Sequence, residues 1–195
     1  MTDRPRSASS PRRAVRLGPA EHSLLGLLAS AGEEGIHGYD LARQFSHGAL
    51  GEIIRLEPGM LYHHLKKLDR YGLITTEIER QVDRPDRRIH TLTADGREAL
   101  DLWLQEPVHA TREIRLDFLL KLFFTRRLAA ARLANLIGQQ RAVLTDLLRS
   151  LTAQMAARTA APEDAERRMV LQLRLAQTEA ALEWLDSLDT TENDA

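Results

Sequence analysis

The chain has 195 residues, of which 43 % are hydrophobic and only 5 % aromatic, a composition that suits one or two small, helix-rich domains. Its formal net charge is −1, so bulk charge indicates neither a nucleic acid nor a membrane as partner, and the placement of charge has to be considered instead. The absence of cysteine excludes disulfides and thiolate metal sites. No apolar run is long enough to span a bilayer and the N-terminus lacks a signal peptide, so a cytoplasmic protein is expected.

The N-terminal segment and the first helices can be placed from composition and pattern. Residues 1–18 are rich in serine, proline and arginine and contain almost nothing to bury, which predicts a disordered basic arm. Its arginines could contact phosphates, although an ordinary solvated tail is the more common explanation of such a segment. A first helix is expected at 19–29 and a second at 35–45, with residues 48–56 connecting it to a third.

The third helix is the most distinctive one. Pro58 opens it and Gly72 follows its end, which is the usual placement of these two residue types. Leu61, Leu65 and Leu68 recur at helical spacing and form its buried stripe. The polar and basic side chains between the leucines are therefore directed to solvent.

A basic hairpin follows this helix. Strands are predicted at 73–80 and 88–92, on either side of a turn at 83–87, and four arginines crowd this short stretch. Thr93 is a suitable N-cap for a further helix that ends before Pro107. A helix with a basic outer face, followed by a hairpin with a basic tip, is typical of a winged helix-turn-helix.

The rest of the chain is predicted to be helical. Residues 112–125 are apolar nearly all round, so this helix should be largely buried. Residues 128–158 and the segment after Pro162 carry apolar side chains at alternating steps of four and three, as in a coiled-coil seam. We expect the two seams to pack on each other and on a second copy of the chain, the alternative being an intramolecular hairpin in a monomer. The expected dimer-interface residues are Leu144, Leu151, Leu171, Leu175, Leu182 and Leu185.

Several short motifs occur in one order over the first half of the chain. They are Leu25-Gly26-Leu27-Leu28, His37-Gly38-Tyr39-Asp40-Leu41, Pro58-Gly59-Met60-Leu61-Tyr62, Leu65-Lys66-Lys67-Leu68 with Tyr71-Gly72-Leu73-Ile74, and the run from Arg87 to Gly96. In this order and spacing the chain resembles the PadR-type bacterial transcriptional regulators, in the larger subgroup with a long helical C-terminal domain. The resemblance implies pairing of two chains through that domain and a DNA-contacting role at Tyr62. The chain departs from the family pattern at His63, where proline is usual, and near His90, where an aromatic residue is common.

The predicted fold is mainly α, with an N-terminal winged helix-turn-helix that carries a two-stranded β wing and a C-terminal helical dimerisation domain. The expected boundaries are 1–18 for the arm, 19–107 for the DNA-binding domain with its linking helix, 108–188 for the dimerisation domain and 189–195 for an acidic disordered tail. On this division, truncation after about Leu104 should release a monomeric winged helix that binds DNA poorly.

This organisation predicts a homodimeric repressor that binds an inverted repeat in double-stranded DNA, with a small apolar or aromatic effector as a candidate releasing ligand. Tyr62 could instead be a half-buried residue whose hydroxyl meets the second helix, the lysines could form an ordinary solvated face, and the wing arginines could pair with neighbouring aspartates. The predicted DNA-contacting residues are Tyr39, Met60, Tyr62, His63, Lys66, Lys67, Arg80, Arg84, Arg87 and Arg88.

Other kinds of site receive little support. Trp103 and Trp184 could line an effector pocket between C-terminal domains, although packing in a core is the more usual role of tryptophan in helices. His63 and His64 are neighbours that point different ways on a helix, and no metal-ligand or catalytic motif occurs, so no metal, cofactor or enzymatic activity is predicted. Two alternatives remain: a winged-helix interaction module whose basic hairpin meets an acidic protein partner, and a MarR-like regulator, in which both chain ends usually contribute to dimerisation.

Overall fold

The computed structural model describes residues 16–79, 87–157 and 165–191. Most of the predicted arm, the tip of the wing with Arg80 and Arg84, and the end of the acidic tail lie outside these residues. Within them the fold is mainly helical with one small sheet, which confirms the predicted fold class. None of the helices in this described part is long and apolar enough to cross a membrane.

The elements fall into two groups along the chain. The N-terminal group consists of α1 (Pro19–Ala31), a 3-10 turn (Gly32–Glu34), β1 (Ile36–His37), α2 (Gly38–His47), α3 (Ala49–Ile53), α4 (Pro58–Arg70), β2 (Ile74–Glu79), β3 (Arg87–Leu92) and α5 (Ala94–Gln105). The C-terminal group consists of α6 (Thr111–Glu113), a π-helical turn (Ile114–Phe118), α7 (Leu119–Leu128), a 3-10 turn (Ala130–Arg132), α8 (Leu133–Ala156) and α9 (Ala165–Thr191).

The residues at the ends of α4 and α5 explain where these helices begin and stop. Pro58 is in the first turn of α4, where its fixed φ and missing N–H are tolerated. Gly72 follows the helix with a φ of 70°, a left-handed conformation that glycine adopts without strain. At α5 the Thr93 hydroxyl accepts a hydrogen bond from the Gly96 amide at 3.0 Å, so the predicted N-cap is confirmed.

The sheet contains a strand that the sequence pattern did not predict. β3 pairs with both β1 and β2, all antiparallel, so the wing is built on a three-stranded sheet. The predicted second helix begins at Gly38 instead of Gly35, because the residues before it extend into β1. Gly35 permits this arrangement: its φ is 71°, and a Cβ there would lie 2.7 Å from the His90 carbonyl oxygen.

Helix α7 contributes side chains to two cores. Leu120 and Phe124 are fully buried in the N-terminal core, whereas Leu122 belongs to the C-terminal core, together with Phe118 of the preceding π-helical turn. Phe124 packs so closely on α1 that a Cβ at Gly26 would lie 2.4 Å from its ring. The boundary predicted at 107/108 therefore does not separate two independent cores, and a truncation after Leu104 would remove part of the first one.

The C-terminal core shows that the predicted dimer seam is used within the chain. α8 and α9 pack along each other, and their leucine stripes face inward. Leu144, Leu151 and Leu185 are 0 % exposed and Leu171 is 5 % exposed in a single chain, while Leu175 and Leu182 are half-buried. The side chains of Leu144, Leu151, Leu171 and Leu185 are thus already buried within the single chain, and their predicted role in a dimer interface stays a prediction.

Candidate nucleic-acid interface

The outer face of α4 is the centre of the candidate site. Leu61, Leu65 and Leu68 anchor the helix in the core at 0 %, 2 % and 0 % exposure, as their spacing predicts. On the opposite side Met60 and Tyr62 are about half exposed. His63 and Lys66 are also exposed. The first two turns of the helix thus present an aromatic, a thioether, an imidazole and an ammonium group to solvent, which can contact base edges and phosphates.

Tyr62 lies directly over the start of α2. A Cβ added to Gly38 would lie 2.9 Å from Cε1 of Tyr62 and 3.3 Å from its hydroxyl, so only glycine leaves room for this ring. Tyr62 therefore meets the second helix, as the interpretation of a half-buried residue proposed. It also keeps 51 % of its surface exposed, as a DNA-contacting residue requires. Tyr39, next to Gly38, is 73 % exposed. Two phenol groups thus flank the N-terminus of α2, an end of a helix that favours anions.

Lys67 differs from its neighbour Lys66. Its ammonium group is bonded to the Glu21 carboxylate of α1, and only 28 % of its side chain is exposed. His64, one turn earlier, donates from Nδ1 to the same Glu21 oxygen at 2.9 Å. The DNA-contacting role predicted for Lys67 stays a prediction, but its charge is already paired with a buried acid.

The pKa of Glu21 reflects this environment. Burial alone would raise the pKa of its carboxyl group, but hydrogen bonds from Lys67, His64 and the Gly18 amide outweigh burial and lower the pKa to about 2. Glu21 is therefore a carboxylate at any pH at which the protein works. It is a fixed negative charge on the inner side of α4.

A broad groove beside α4 adds basic residues that the sequence reading did not single out. It has a volume of about 1000 Å³ and is bounded by α2, α3 and the start of α4. Arg43 lies four residues after Tyr39 and 3.2 Å from Asp40, and Arg55 is exposed on the loop before Pro58. The i, i+4 spacing of Tyr39 and Arg43, which places both on one helix face, is the signal that could have identified Arg43.

The described part of the wing places two arginines on one strand with different partners. Arg87 stands opposite Glu79, and Arg88 stands opposite Ile78. Both arginines are exposed, and the Glu79 carboxylate opposite Arg87 lies 4.0 Å from His37 Nε2. The phosphate contacts predicted for Arg87 and Arg88 stay predictions. The predicted contacts at Arg80 and Arg84 fall outside the described residues.

The base of the wing contains a buried histidine. His90 is 4 % exposed, and its Nδ1 lies 3.0 Å from the Thr76 hydroxyl across the strand pair. Burial lowers the pKa of His90, so this ring is neutral at pH 7. The aromatic residue that is common here in the resembled family is thus replaced by a neutral ring packed in the sheet.

The two tryptophans lie in different cores. The Trp103 ring stacks on His22 with a centroid distance of 4.3 Å and has the Lys121 ammonium over its face at 4.5 Å. The Trp184 ring meets Phe118 edge to face at 6.1 Å. Trp103 packs against the N-terminal core and Trp184 against the C-terminal core, so the role predicted for them at an effector pocket stays a prediction.

The fold and this face define a class of protein. A helix-turn-helix with an exposed basic and aromatic recognition helix, next to an arginine-bearing wing, is a DNA-binding winged helix. In the described ranges no group of three or more His, Cys, Asp or Glu side chains is placed to hold a metal ion. Residues 27–102 match the Transcriptional regulator PadR-like family, and residues 114–191 match the family described as Virulence activator alpha C-term. A PadR-like transcriptional-regulator domain therefore spans residues 27–102 of the chain, as the resemblance implied.

One known relative spans most of the chain and another spans less than half of it. The Negative transcriptional regulator PadR of Bacillus subtilis is 29 % identical over 177 residues, which is 86 % of this chain and 94 % of the relative. A probable transcriptional regulator of Mycobacterium tuberculosis is 28 % identical over 86 residues, 44 % of this chain and 45 % of that protein. The crystal structure of Bacillus subtilis PadR in complex with operator DNA is similar with a TM-score of 0.45 and 25 % identity, covering 89 % of this chain and 97 % of that one.

Proposed function

We propose that the protein represses transcription as a homodimer bound to an inverted-repeat operator, with α4 of each copy in the major groove and the wing on the adjacent backbone. The observation that carries this proposal is the division of α4 into a buried leucine stripe and an exposed face with Tyr62, His63 and Lys66. On this model His63 reads base edges, and Lys66 and Arg88 contact phosphates.

The homodimer is supported by a second apolar stripe on α9. Met169 and Leu173 are 64 % and 59 % exposed, and Ala176 and Ala180 continue the stripe at steps of three and four. These residues lie outside the leucine stripe that packs on α8, so they replace the buried leucines as the proposed dimer surface. A two-fold pair of winged helices would read two half-sites about 34 Å apart, or a multiple of that distance, in opposite orientations.

Repression is supported by the relative from Bacillus subtilis, which is named a negative transcriptional regulator and aligns over 86 % of this chain. Release by a small apolar or aromatic effector belongs to the proposal as well. The stacking of the Trp103 ring on His22 and the Lys121 ammonium over its face favour a core role for this residue over an effector-binding one.

DNA binding is tested with duplexes that the protein itself selects from a randomised library. We expect affinity to fall with rising salt, and Arg88→Ala to make the slope of log affinity against log salt shallower by about 0.9. His63→Ala should instead reduce the preference for the selected duplex over a random one, since a lost base contact costs about 1–3 kcal/mol. Fluorescence anisotropy across a salt series measures both quantities. If no duplex binds while an acidic protein does, the interaction-module alternative is correct.

The dimer surface is tested by sedimentation of the full chain. Leu173→Glu places a charge in the exposed stripe and should shift the protein to monomers at micromolar concentration. Arg174→Gln, at the exposed position that follows Leu173, changes the net charge by the same amount but lies about 100° around the helix from Leu173, and it serves as the matched control. A monomeric unaltered chain would overturn the homodimer.

A further inference from the structure

A buried carboxylate joins α1 to the recognition helix. Glu21 is 3 % exposed and accepts hydrogen bonds from three directions. The Gly18 amide donates to Oε2 at 2.9 Å, while His64 Nδ1 at 2.9 Å and the Lys67 ammonium group both meet Oε1. His64 and Lys67 are one turn apart on α4, so a single oxygen of α1 holds two points on one flank of that helix.

These contacts add something that the leucine stripe cannot provide. Hydrophobic packing of Leu61, Leu65 and Leu68 holds α4 against the core, but such contacts are not directional. Hydrogen bonds to a charged group are directional and strong. The Gly18 bond fixes the Glu21 carboxylate to its own helix, so the bonds from His64 and Lys67 define the rotation of α4 about its axis.

That rotation decides which side chains face a groove of DNA. His63 and Lys66 each precede a clamped residue, His64 and Lys67, by one position in the sequence. A helix advances by about 100° per residue, so a modest rotation would turn His63 and Lys66 away from the direction in which they are now exposed. Lys67 itself cannot neutralise a phosphate without giving up a buried partner.

We infer that Glu21 is a positioning residue for DNA recognition: with His64 and Lys67 it sets the rotation of α4 and thereby the sequence preference of the protein. Lys66 is the phosphate ligand of the lysine pair, and Lys67 acts inside the protein. The inference rests on the proposed binding of DNA through α4.

The adjacent lysines provide a matched test. Lys66→Met and Lys67→Met remove the same charge from neighbouring positions of one helix, and Glu21→Gln removes the carboxylate charge while keeping its shape. Each variant is measured against the selected duplex and a random-sequence duplex over a salt series, at a temperature where its thermal unfolding curve shows a fully folded protein. Loss of folded protein would lower both affinities equally, so neither their ratio nor the salt slope reports mere instability.

We expect Lys66→Met to make the salt slope shallower by about 0.9 and to lower both affinities. Lys67→Met and Glu21→Gln should leave the slope unchanged and reduce the preference for the selected duplex by about tenfold, the size of one lost base contact. Because both substitutions break the same clamp, the double variant should be no worse than the more affected single variant.

Other results would overturn the inference. A salt slope in Lys67→Met that falls as it does in Lys66→Met would make Lys67 a phosphate ligand. An unchanged preference in both Lys67→Met and Glu21→Gln would reduce the clamp to a stabilising contact. If Glu21→Gln does not fold, Lys67→Met and His64→Gln decide the question by the same two readouts. Failure of the proposed function looks different, because the unaltered protein would then bind neither duplex.

Discussion

The two ends of the molecule expose apolar side chains in different surroundings. Around α4, the exposed Met60 and Tyr62 lie beside basic residues, and Tyr62 also lies over the start of α2, as suits a surface that meets a charged and stacked partner such as DNA. On α9, the exposed Met169 and Leu173 form a stripe at helical spacing, as suits another helix. The difference teaches that apolar exposure indicates a partner only when the neighbouring charges and the spacing are considered with it.

The two ends are not independent, because α7 belongs to both cores, and this link can be broken at Phe124. Phe124→Ala should lower the free energy of unfolding of the whole chain by about 3–5 kcal/mol, since a fully buried aromatic ring is lost and a cavity remains. The same substitution should reduce protection of α1 amides from hydrogen exchange, although residue 124 lies in the C-terminal half. Urea unfolding and hydrogen exchange measure the two effects.

A double variant identifies the contact responsible. Gly26→Ala alone should destabilise the protein, because its Cβ would lie 2.4 Å from the Phe124 ring and a buried ring cannot move aside cheaply. In the Phe124→Ala background the added methyl group has room, so the second substitution should cause no further loss. Simple additivity of the two effects would show that α1 and α7 are not coupled at this point.

A smaller loss of stability is expected at the segment between α5 and α6, where Gln140 holds the backbone of Val108. Gln140 on α8 is fully buried and bonds both the amide and the carbonyl of Val108, at 2.7 Å and 2.8 Å. Gln140→Leu improves the apolar seam but leaves two buried backbone groups unpaired, at about 1–3 kcal/mol each. We expect a net loss of about 2 kcal/mol in urea unfolding. Gln139→Leu, at an exposed position, should change stability by less than about 0.5 kcal/mol.

The sequence predicted the N-terminal end better than the C-terminal end, for a physical reason. The start of α4, its leucine stripe and the Thr93 cap depend on residues within one or two turns, so local rules suffice. The partner of a leucine stripe is not a local property. The step of four and three predicted a seam at Leu144 and Leu185, but only the structure shows that α8 and α9 satisfy each other within one chain.

The same limit applied at the candidate site. The pattern of α4 predicted an exposed face, and it treated Lys66 and Lys67 as equivalent because both follow Leu65. Their difference depends on Glu21, more than forty residues earlier in the chain. Strand β1 was missed for a related reason, since its two residues are extended only because β3 lies beside them.

The last expected effect concerns His22, on the face of α1 that meets α5. It changes the free energy of unfolding only in acid, so it is the smallest of these effects at neutral pH. Burial and, to a smaller extent, the nearby positive charge of Lys121 lower the pKa of His22 to about 4, although the Glu21 carboxylate acts in the opposite direction. Below the ordinary histidine pKa of about 6.5, His22 therefore binds a proton in the unfolded chain but not in the folded chain. Stability should be fully present above pH 6.5 and fall by up to about 1.4 kcal/mol per pH unit between 6.5 and 4.

Substitution of His22 by phenylalanine separates this effect from packing. Phenylalanine keeps a flat ring against Trp103, which now stacks at 4.3 Å, but it cannot take up a proton. In urea titrations between pH 6.5 and 4.5, we expect His22→Phe to make the decline of unfolding free energy less steep. The part of the decline that is caused by His90, whose pKa is also lowered by burial, should remain. The pKa of Glu21 is lowered to about 2, so its stabilising contribution declines only as the pH falls from about 4.5 toward 2. Measurements above pH 4.5 therefore exclude the contribution of Glu21. Identical curves for the variant and the unaltered protein would show that His22 takes up its proton equally in the folded and the unfolded chain. Its burial against Trp103 would then not disfavour the charged imidazole.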